Sequence, residues 1–299
     1  MNTCERARLS LKGLLIGDCF GECFMGSPDE MLPKIRSKKT PSGVWRYTDD
    51  TQMALSIVEN LAVHGEIVQD DLVSRFAEKM EPERGYGVGV FKILSGVRNG
   101  SDWRTMSYSG FRGMGSFGNG AAMRVAPLGA YFAEEPFEKI VEQARLSAEV
   151  THAHPEGAAG AIAVAVAAAL AWKSRDNQES LGNRFIEEVL RWIPDGYTHE
   201  AVQEVFDVPE SASVSDAVKI LGNGSGITAP DTVPLCLWVV ANWSDDFKKA
   251  LWKTVSALGD RDTTCAIVGG ILALSVGEER LPGTWYESCE SVSLQDGML

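Results

Sequence analysis

Basic residues are in short supply. The 299-residue sequence sets 28 Lys and Arg against 41 Asp and Glu, a formal net charge of −13, and nowhere gathers its cations into a patch. Binding a phosphate backbone or an anionic membrane face needs such a patch to release counterions, so neither nucleic acid nor membrane is an expected partner. Cysteine is present without any Cys-x-x-Cys pair: of six, only Cys19 and Cys23 are close, at helical i,i+4 spacing. That pattern makes neither a disulfide framework nor a zinc site, and free thiols in a reducing compartment are the expectation. Glu5, Arg6, Arg8 and Lys12 interrupt the first fifteen residues, which therefore lack the apolar core of a secretory leader; a cytoplasmic location is expected. No apolar run reaches the ~20 residues of a membrane span. The most apolar one, Gly157 to Trp172, is rich in Ala and Gly and reads as a buried core helix. Pro/Gly/Ser-rich linkers and sustained charge runs are missing too, so residues 1–282 are expected to form one compact domain, and a monomer is expected ahead of an obligate oligomer. Periodicity fades over 283–299, which reads as a loosely attached tail.

Alternating strand-like runs are nearly absent, whereas apolar residues recur at three and four through most of the chain. Ala54, Leu55, Val58, Leu61 and Ala62 share one helical face, as do Phe185, Val189, Leu190 and Ile193. The same period predicts helices over 72–80, 90–97, 137–150, 201–206, 214–221, 233–243 and 266–276. Small residues from Ala158 to Ala171 permit close helix approach, which suits a central helix surrounded by others. The expected fold is an all-α, single-domain orthogonal bundle of roughly a dozen helices, given mean helix lengths of about 11–12 residues. Glycine concentrates between helices, at Arg84 to Gly89, Gly110 to Gly120 and Gly222 to Gly226. Loops that approach a ligand closely use glycine in this way; for Gly222 to Gly226 an ordinary turn is the preferred reading.

Thr48, Asp49, Asp50 and Thr51 directly precede a strongly amphipathic helix. N-capping explains one such side chain, and the positive end of the helix tolerates another. Asp260 and Asp262, followed by Thr263, repeat the arrangement at a second helix start. Hard divalent cations prefer carboxylate, hydroxyl and carbonyl oxygens, and four aspartates can neutralise two of them. In Asp-x-Asp, one carboxylate can bridge two ions while the other binds terminally. His152 and His154 lie close together, but no third ligand of matching spacing makes them a zinc site. Asp18 and Glu22 share a helical face, and their context, GLLIGDCFGECFMG, is too apolar and Gly-rich for a solvated helix. These carboxylates are expected to point into a polar site.

Six ordered segments resemble the ADP-ribosylglycohydrolases: GLLIGDCFGE (13–22), YTDDTQMAL (47–55), RGYG (84–87), GSFGNGAAMR (115–124), THAHPEG (151–157) and GDRDTTCAIVGGI (259–271). The resemblance covers nearly the whole chain. It implies that Thr48, Asp49, Asp50, Asp260, Asp262 and Thr263 hold two Mg²⁺ or Mn²⁺ ions, with Asp262 bridging them. It also implies that Gly115, Ser116, Gly118 and Asn119 wrap a diphosphate and ribose, that Phe117 stacks on adenine, and that His152 lines the same site. A glycine-rich turn offers backbone N–H donors to an anion, so the loop assignment is physically sensible. Many family members place a catalytic glutamate seven residues after the aspartate that Asp18 matches. Met25 stands there instead, so Glu22 and Asp50 are the candidate general bases. The implied activity is hydrolysis of the bond between ADP-ribose and a protein side chain or small molecule. The competing readings are an ADP-ribose-binding protein without turnover, and another two-metal hydrolase acting on a nucleotide.

Overall fold

The computed structural model describes residues 1–175, 181–209 and 211–292. Among the described residues there are sixteen α-helices and no strand. They are α1 (Thr3–Glu22), α2 (Pro28–Ser37), α3 (Asp49–His64), α4 (Gln69–Lys79), α5 (Val88–Arg98), α6 (Trp103–Ser109), α7 (Ala126–Tyr131) and α8 (Phe137–Glu149). The second half supplies α9 (Pro155–Lys173), α10 (Gly182–Leu190), α11 (Tyr197–Gln203), α12 (Val214–Leu221), α13 (Ala229–Asn242), α14 (Phe247–Ser256), α15 (Arg261–Val276) and α16 (Gly283–Ser288). The all-α expectation holds, with more helices than a dozen. The excess comes from α2, α6, α7, α14 and α16, most of them too short to show a hydrophobic period.

Two apolar helices form the centre. α9 has 19 residues, and although its composition would allow a membrane span, 89% of its apolar window is buried inside the protein. α15 is buried from Thr263 to Val276 and lies along α1. What lets these two helices touch is a glycine stripe on α1. A Cβ at Gly13 would stand 2.3 Å from the Gly269 carbonyl oxygen, one at Gly17 2.0 Å from that of Cys265, and one at Gly21 2.2 Å from that of Arg261. Only hydrogen fits at such backbone-to-backbone distances. The stripe thereby sets Asp18 and Glu22, beside Gly17 and Gly21, against the start of α15.

The segment after residue 282 departs from the expected loose tail. Trp285 in α16 is buried and stacks on Phe20 with ring centroids 4.5 Å apart, within an aromatic cluster that includes Phe24, Trp45 and Trp252. Burying a large aromatic surface holds a short helix that has little propensity of its own. The remainder of the expected tail, residues 293–299, lies outside the described residues.

Candidate active site

The aspartates at the two helix starts are not used as caps. Thr48 caps α3, its hydroxyl accepting from the Asp50 amide at 3.4 Å, which leaves both Asp49 and Asp50 carboxylates available. Asp260 occupies the N-cap position of α15 without making a cap hydrogen bond; its Oδ2 accepts from Asn119 Nδ2 at 2.7 Å instead. The two starts meet: Thr263 Oγ1 donates to Asp50 Oδ1 at 3.3 Å.

Asp18 enters from α1 and is fully buried. It accepts from the Thr48 and Thr51 amides at 3.0 and 3.1 Å and from their hydroxyls at 2.9 and 2.5 Å. The Thr48 hydroxyl also lies 2.8 Å from Asp50 Oδ2, so one proton stands between two carboxylates. Burial, reinforced by the charge of Asp262, pushes Asp18 up to about 7 and Asp260 up to about 7. Asp49 and Asp50 are raised well above the usual carboxylate range, first by burial and then by the neighbouring aspartates. Among the described residues none of these aspartates pairs with a Lys or Arg. The site is a concentration of uncompensated acid.

Such a site has the chemistry of a hard-cation centre. The six candidate donors Thr48, Asp49, Asp50, Asp260, Asp262 and Thr263 are all oxygen ligands. Asp262 Oδ1 is buried with no hydrogen-bond partner, an arrangement that costs free energy unless a cation faces it. Among the described residues no three His, Cys, Asp or Glu side chains converge closely enough to chelate one ion, so the fit rests on donor chemistry and the orphaned Asp262 oxygen rather than on a preformed chelate.

Glu22 reaches the same place half-buried. Its carboxyl is raised by burial first and by Asp262 second, with Arg46 opposing. Met25 is 40% exposed and brings no acid. Asp18 and Glu22 thus both face the polar site, as their apolar context predicts.

The loop 115–119 lies beside the acids, and Asn119 joins the two. Gly115 has φ +80, and a Cβ there would strike the His154 amide at 2.7 Å. The Gly115 amide bonds to Gly110 O, that of Gly118 to Ser116 Oγ and that of Asn119 to Ile227 O. Of the four residues expected to wrap the diphosphate and ribose, Ser116 keeps its amide unengaged, and so does Phe117, expected only as a stacking ring. Asn119 is 3% exposed and its Nδ2 donates to Asp260 and to Thr232 Oγ1, so it orients a carboxylate of the acid cluster. Phe117 lies 5.3 Å from the exposed ring of Phe111 and 5.4 Å from that of His154. The Gly222–Gly226 turn does more than turn: Gly224 packs on Asp260, a Cβ there meeting that of Asp260 at 2.8 Å.

His152 supports the loop from beneath. Its Nε2 would stand 2.9 Å from a Cβ at Gly120, and Nδ1 lies 2.8 Å from Thr151 Oγ1. Arg124, fully buried, donates to that same hydroxyl at 2.9 Å. Arg124 and His152 thus share the Thr151 hydroxyl, and Nε2 of the imidazole faces the glycine turn. Burial, with Arg124 nearby, pushes His152 down to about 3 and keeps it neutral. The bonds of Asn119 to Asp260 and Thr232, and of Arg124 to Thr151, join residues remote in the chain and so escape a reading by sequence proximity.

Similarity to known proteins identifies the family. The family model for ADP-ribosylglycohydrolase matches residues 1–298. ADP-ribosylhydrolase ARH3 of Gallus gallus is 30% identical over 96% of this chain and 89% of its own length, and that of Homo sapiens 29% over 98% and 91%. The ADP-ribosyl-[dinitrogen reductase] glycohydrolase of Rhodospirillum rubrum is 26% identical over 96% and 90%. A solved structure described as an ADP-ribosylglycohydrolase-related protein complex shares the fold, with a TM-score of 0.69 at 24% identity over 97% of this chain and 93% of that one. With a whole-length family match on a chain whose acids, glycine loop and buried histidine come together in one place, this protein belongs to the ADP-ribosylglycohydrolase family.

Proposed function

We propose that the protein hydrolyses the glycosidic bond between ADP-ribose and a modified protein side chain or small molecule, releasing ADP-ribose. The observation that carries this reading is the meeting of Asp50 and Thr263 beside the unpartnered Asp262 oxygen, with the 115–119 loop joined to that cluster through Asn119. Thr48, Asp49, Asp50, Asp260, Asp262 and Thr263 would hold two Mg²⁺ or Mn²⁺ ions. When bound, these would supply Lewis acidity toward the hydroxyls of the distal ribose and the attacking water.

The chain's own groups divide the remaining work. The Ser116 and Phe117 amides face the diphosphate, Phe117 offers its ring to the adenine, and His152 backs the loop from beneath its glycine turn. Binding energy from the ADP part, remote from the scissile bond, fixes the distal ribose against the acids. Glu22 takes the proton of the attacking water as positive charge builds on the ribose. Its half-burial favours it over Asp50: it can exchange its proton with solvent, whereas Asp50 is buried and enclosed by Thr48 and Thr263.

Incubation with Mg²⁺ and a panel of arginine-, serine- and nucleotide-linked ADP-ribose, with products identified by mass, tests the proposal. Free ADP-ribose is the expected product; AMP would indicate attack on the diphosphate and refute glycoside cleavage. Met25 at the family's glutamate position favours a second reading, binding without turnover, for which the same panel would give tight binding and no product.

A further inference from the structure

The C-terminal segment is built into the support of the acid cluster. Just before α3, Trp45 pairs with Cys289: the Trp45 amide donates to Ser288 O and the Glu290 amide to Trp45 O, both at 2.7 Å. Arg84 of the RGYG segment, 6% exposed, then ties the two segments of this contact together. Its Nη1 donates to Tyr47 O at 3.0 Å and to Glu290 Oε2 at 2.6 Å, its Nη2 to Glu290 Oε1 at 3.0 Å, and its Nε to Glu81 at 3.1 Å. The guanidinium also lies 3.7 Å from the centre of the Tyr47 ring. A bidentate Arg–carboxylate pair fixes direction as well as distance.

The direction matters because the Tyr47–Thr48 peptide is held at both ends. Its carbonyl is bound by Arg84, and its N–H, that of Thr48, is bound by Asp18 at 3.0 Å. Rotation of this peptide would turn Thr48, the cap of α3, and with it the placement of Asp49 and Asp50. The next residue after Arg84 closes on the same group, since a Cβ at Gly85 would stand 3.7 Å from Asp49 Oδ1.

We infer that Glu290 and Arg84 are positioning residues for the cation ligands of α3: the C-terminal segment, through Arg84, sets the Tyr47–Thr48 peptide and hence the geometry in which Thr48, Asp49 and Asp50 meet Asp262. This rests on the reading of those residues as cation ligands. Outer partners of metal ligands typically change metal affinity by about 10–100-fold, and that is the effect expected here.

Calorimetric titration of the full chain with Mn²⁺ tests it, comparing the unmodified protein with Glu290→Ala, Glu290→Gln, Glu290→Asp and a remote core variant in α10, Ile186→Val. Glu290→Ala should bind Mn²⁺ about 10–100-fold more weakly, Glu290→Asp should recover part of the loss, and Ile186→Val should bind normally even at a matched loss of Tm. If Glu290→Ala does not fold, Glu290→Gln decides the same question. Normal Mn²⁺ affinity in a folded Glu290 variant, or an equal loss in Ile186→Val, overturns the inference while leaving the cation site intact. An unmodified protein that binds no Mn²⁺ overturns both.

Discussion

Thr263 Oγ1 donates to Asp50 Oδ1 at 3.3 Å across 213 positions of sequence, and this contact is where two aspartate-bearing helix starts become one site. If Asp262 beside it bridges two cations, its removal should harm both sites at once. Asp262→Ala should lose bound Mg²⁺ and at least about 100-fold in ADP-ribose release, more than the range typical for an outer partner. Metal analysis of the purified variant, beside the rate, checks this; undiminished turnover in EDTA would exclude the cation site.

Asn119 offers a sharper division between ligand contact and carboxylate positioning. Because its Nδ2 donates to Asp260 at 2.7 Å and Thr232 at 3.1 Å, Asn119→Ala should weaken Mg²⁺ affinity by about 10–100-fold. Calorimetry with metal alone reads this directly. Normal metal affinity combined with weakened ADP-ribose binding would return Asn119 to the role its motif implies.

Much of this arrangement is legible from local pattern. The apolar period of α3 and the small-residue run of α9 specify helices from the sequence itself, and Asp-Asp or Asp-x-Asp before such a period marks acid at a helix start. Contacts across long sequence separations are not encoded that way. Arg84 meets Glu290 206 positions away and Asn119 meets Asp260 141 away, and although Arg84, Asn119 and Asp260 stand in recognisable segments, nothing local says which residue each one meets. For the same reason α16 reads as tail: what holds it is the stack of Trp285 on Phe20, not its own periodicity.

The pH dependence of stability should change sign with metal. Asp18 and Asp260, pushed up to about 7, keep protons in the folded, cation-free chain that the unfolded chain releases near pH ~4. The folded state therefore binds more protons between those values, and this contribution to stability is full below about pH 4 and is lost as pH rises through about 7. His152, pushed down to about 3, works oppositely, favouring the folded state above about pH 6.5 and losing that contribution as pH falls. Several acids outweigh one imidazole, so the cation-free Tm should fall as pH rises from 4.5 to 7. With saturating Mg²⁺ the acids stay ionised and the slope should reverse. Calorimetric scans with and without metal show either the reversal or parallel curves, and parallel curves would rule the linkage out.

Packing of α1 on α15 gives a test of the fold beneath the site. Gly17→Ala drives a methyl group to 2.0 Å from the Cys265 carbonyl oxygen, a contact that only separation of the helices relieves. Overpacking typically costs about 1–3 kcal/mol, and a rigid backbone on both sides puts this case at or above the upper end. Denaturant unfolding should show that loss. Gly277→Ala, where nothing lies within 4 Å but φ is +78, should carry a backbone penalty alone and leave metal binding unchanged.

Glu22 is the group on which the assignment of chemistry turns. It stands one helical turn beyond Asp18 on the same face, half-buried beside Asp262, with no acid at Met25 to share its role. Losing a general base typically costs about 10²–10⁴-fold in rate, whereas a solvated surface glutamate contributes almost nothing. Glu22→Gln preserves shape and removes the basic oxygen, so it should retain metal and ADP-ribose binding while kcat falls by that factor. Normal kcat would remove Glu22 from the mechanism and leave Asp50, despite its enclosure by Thr48 and Thr263, as the base. A fall in metal content parallel to the fall in rate would make Glu22 a ligand instead. Measuring bound metal, ADP-ribose affinity and kcat on one preparation separates the three outcomes, because a base, a bystander and a ligand each move a different subset of those quantities.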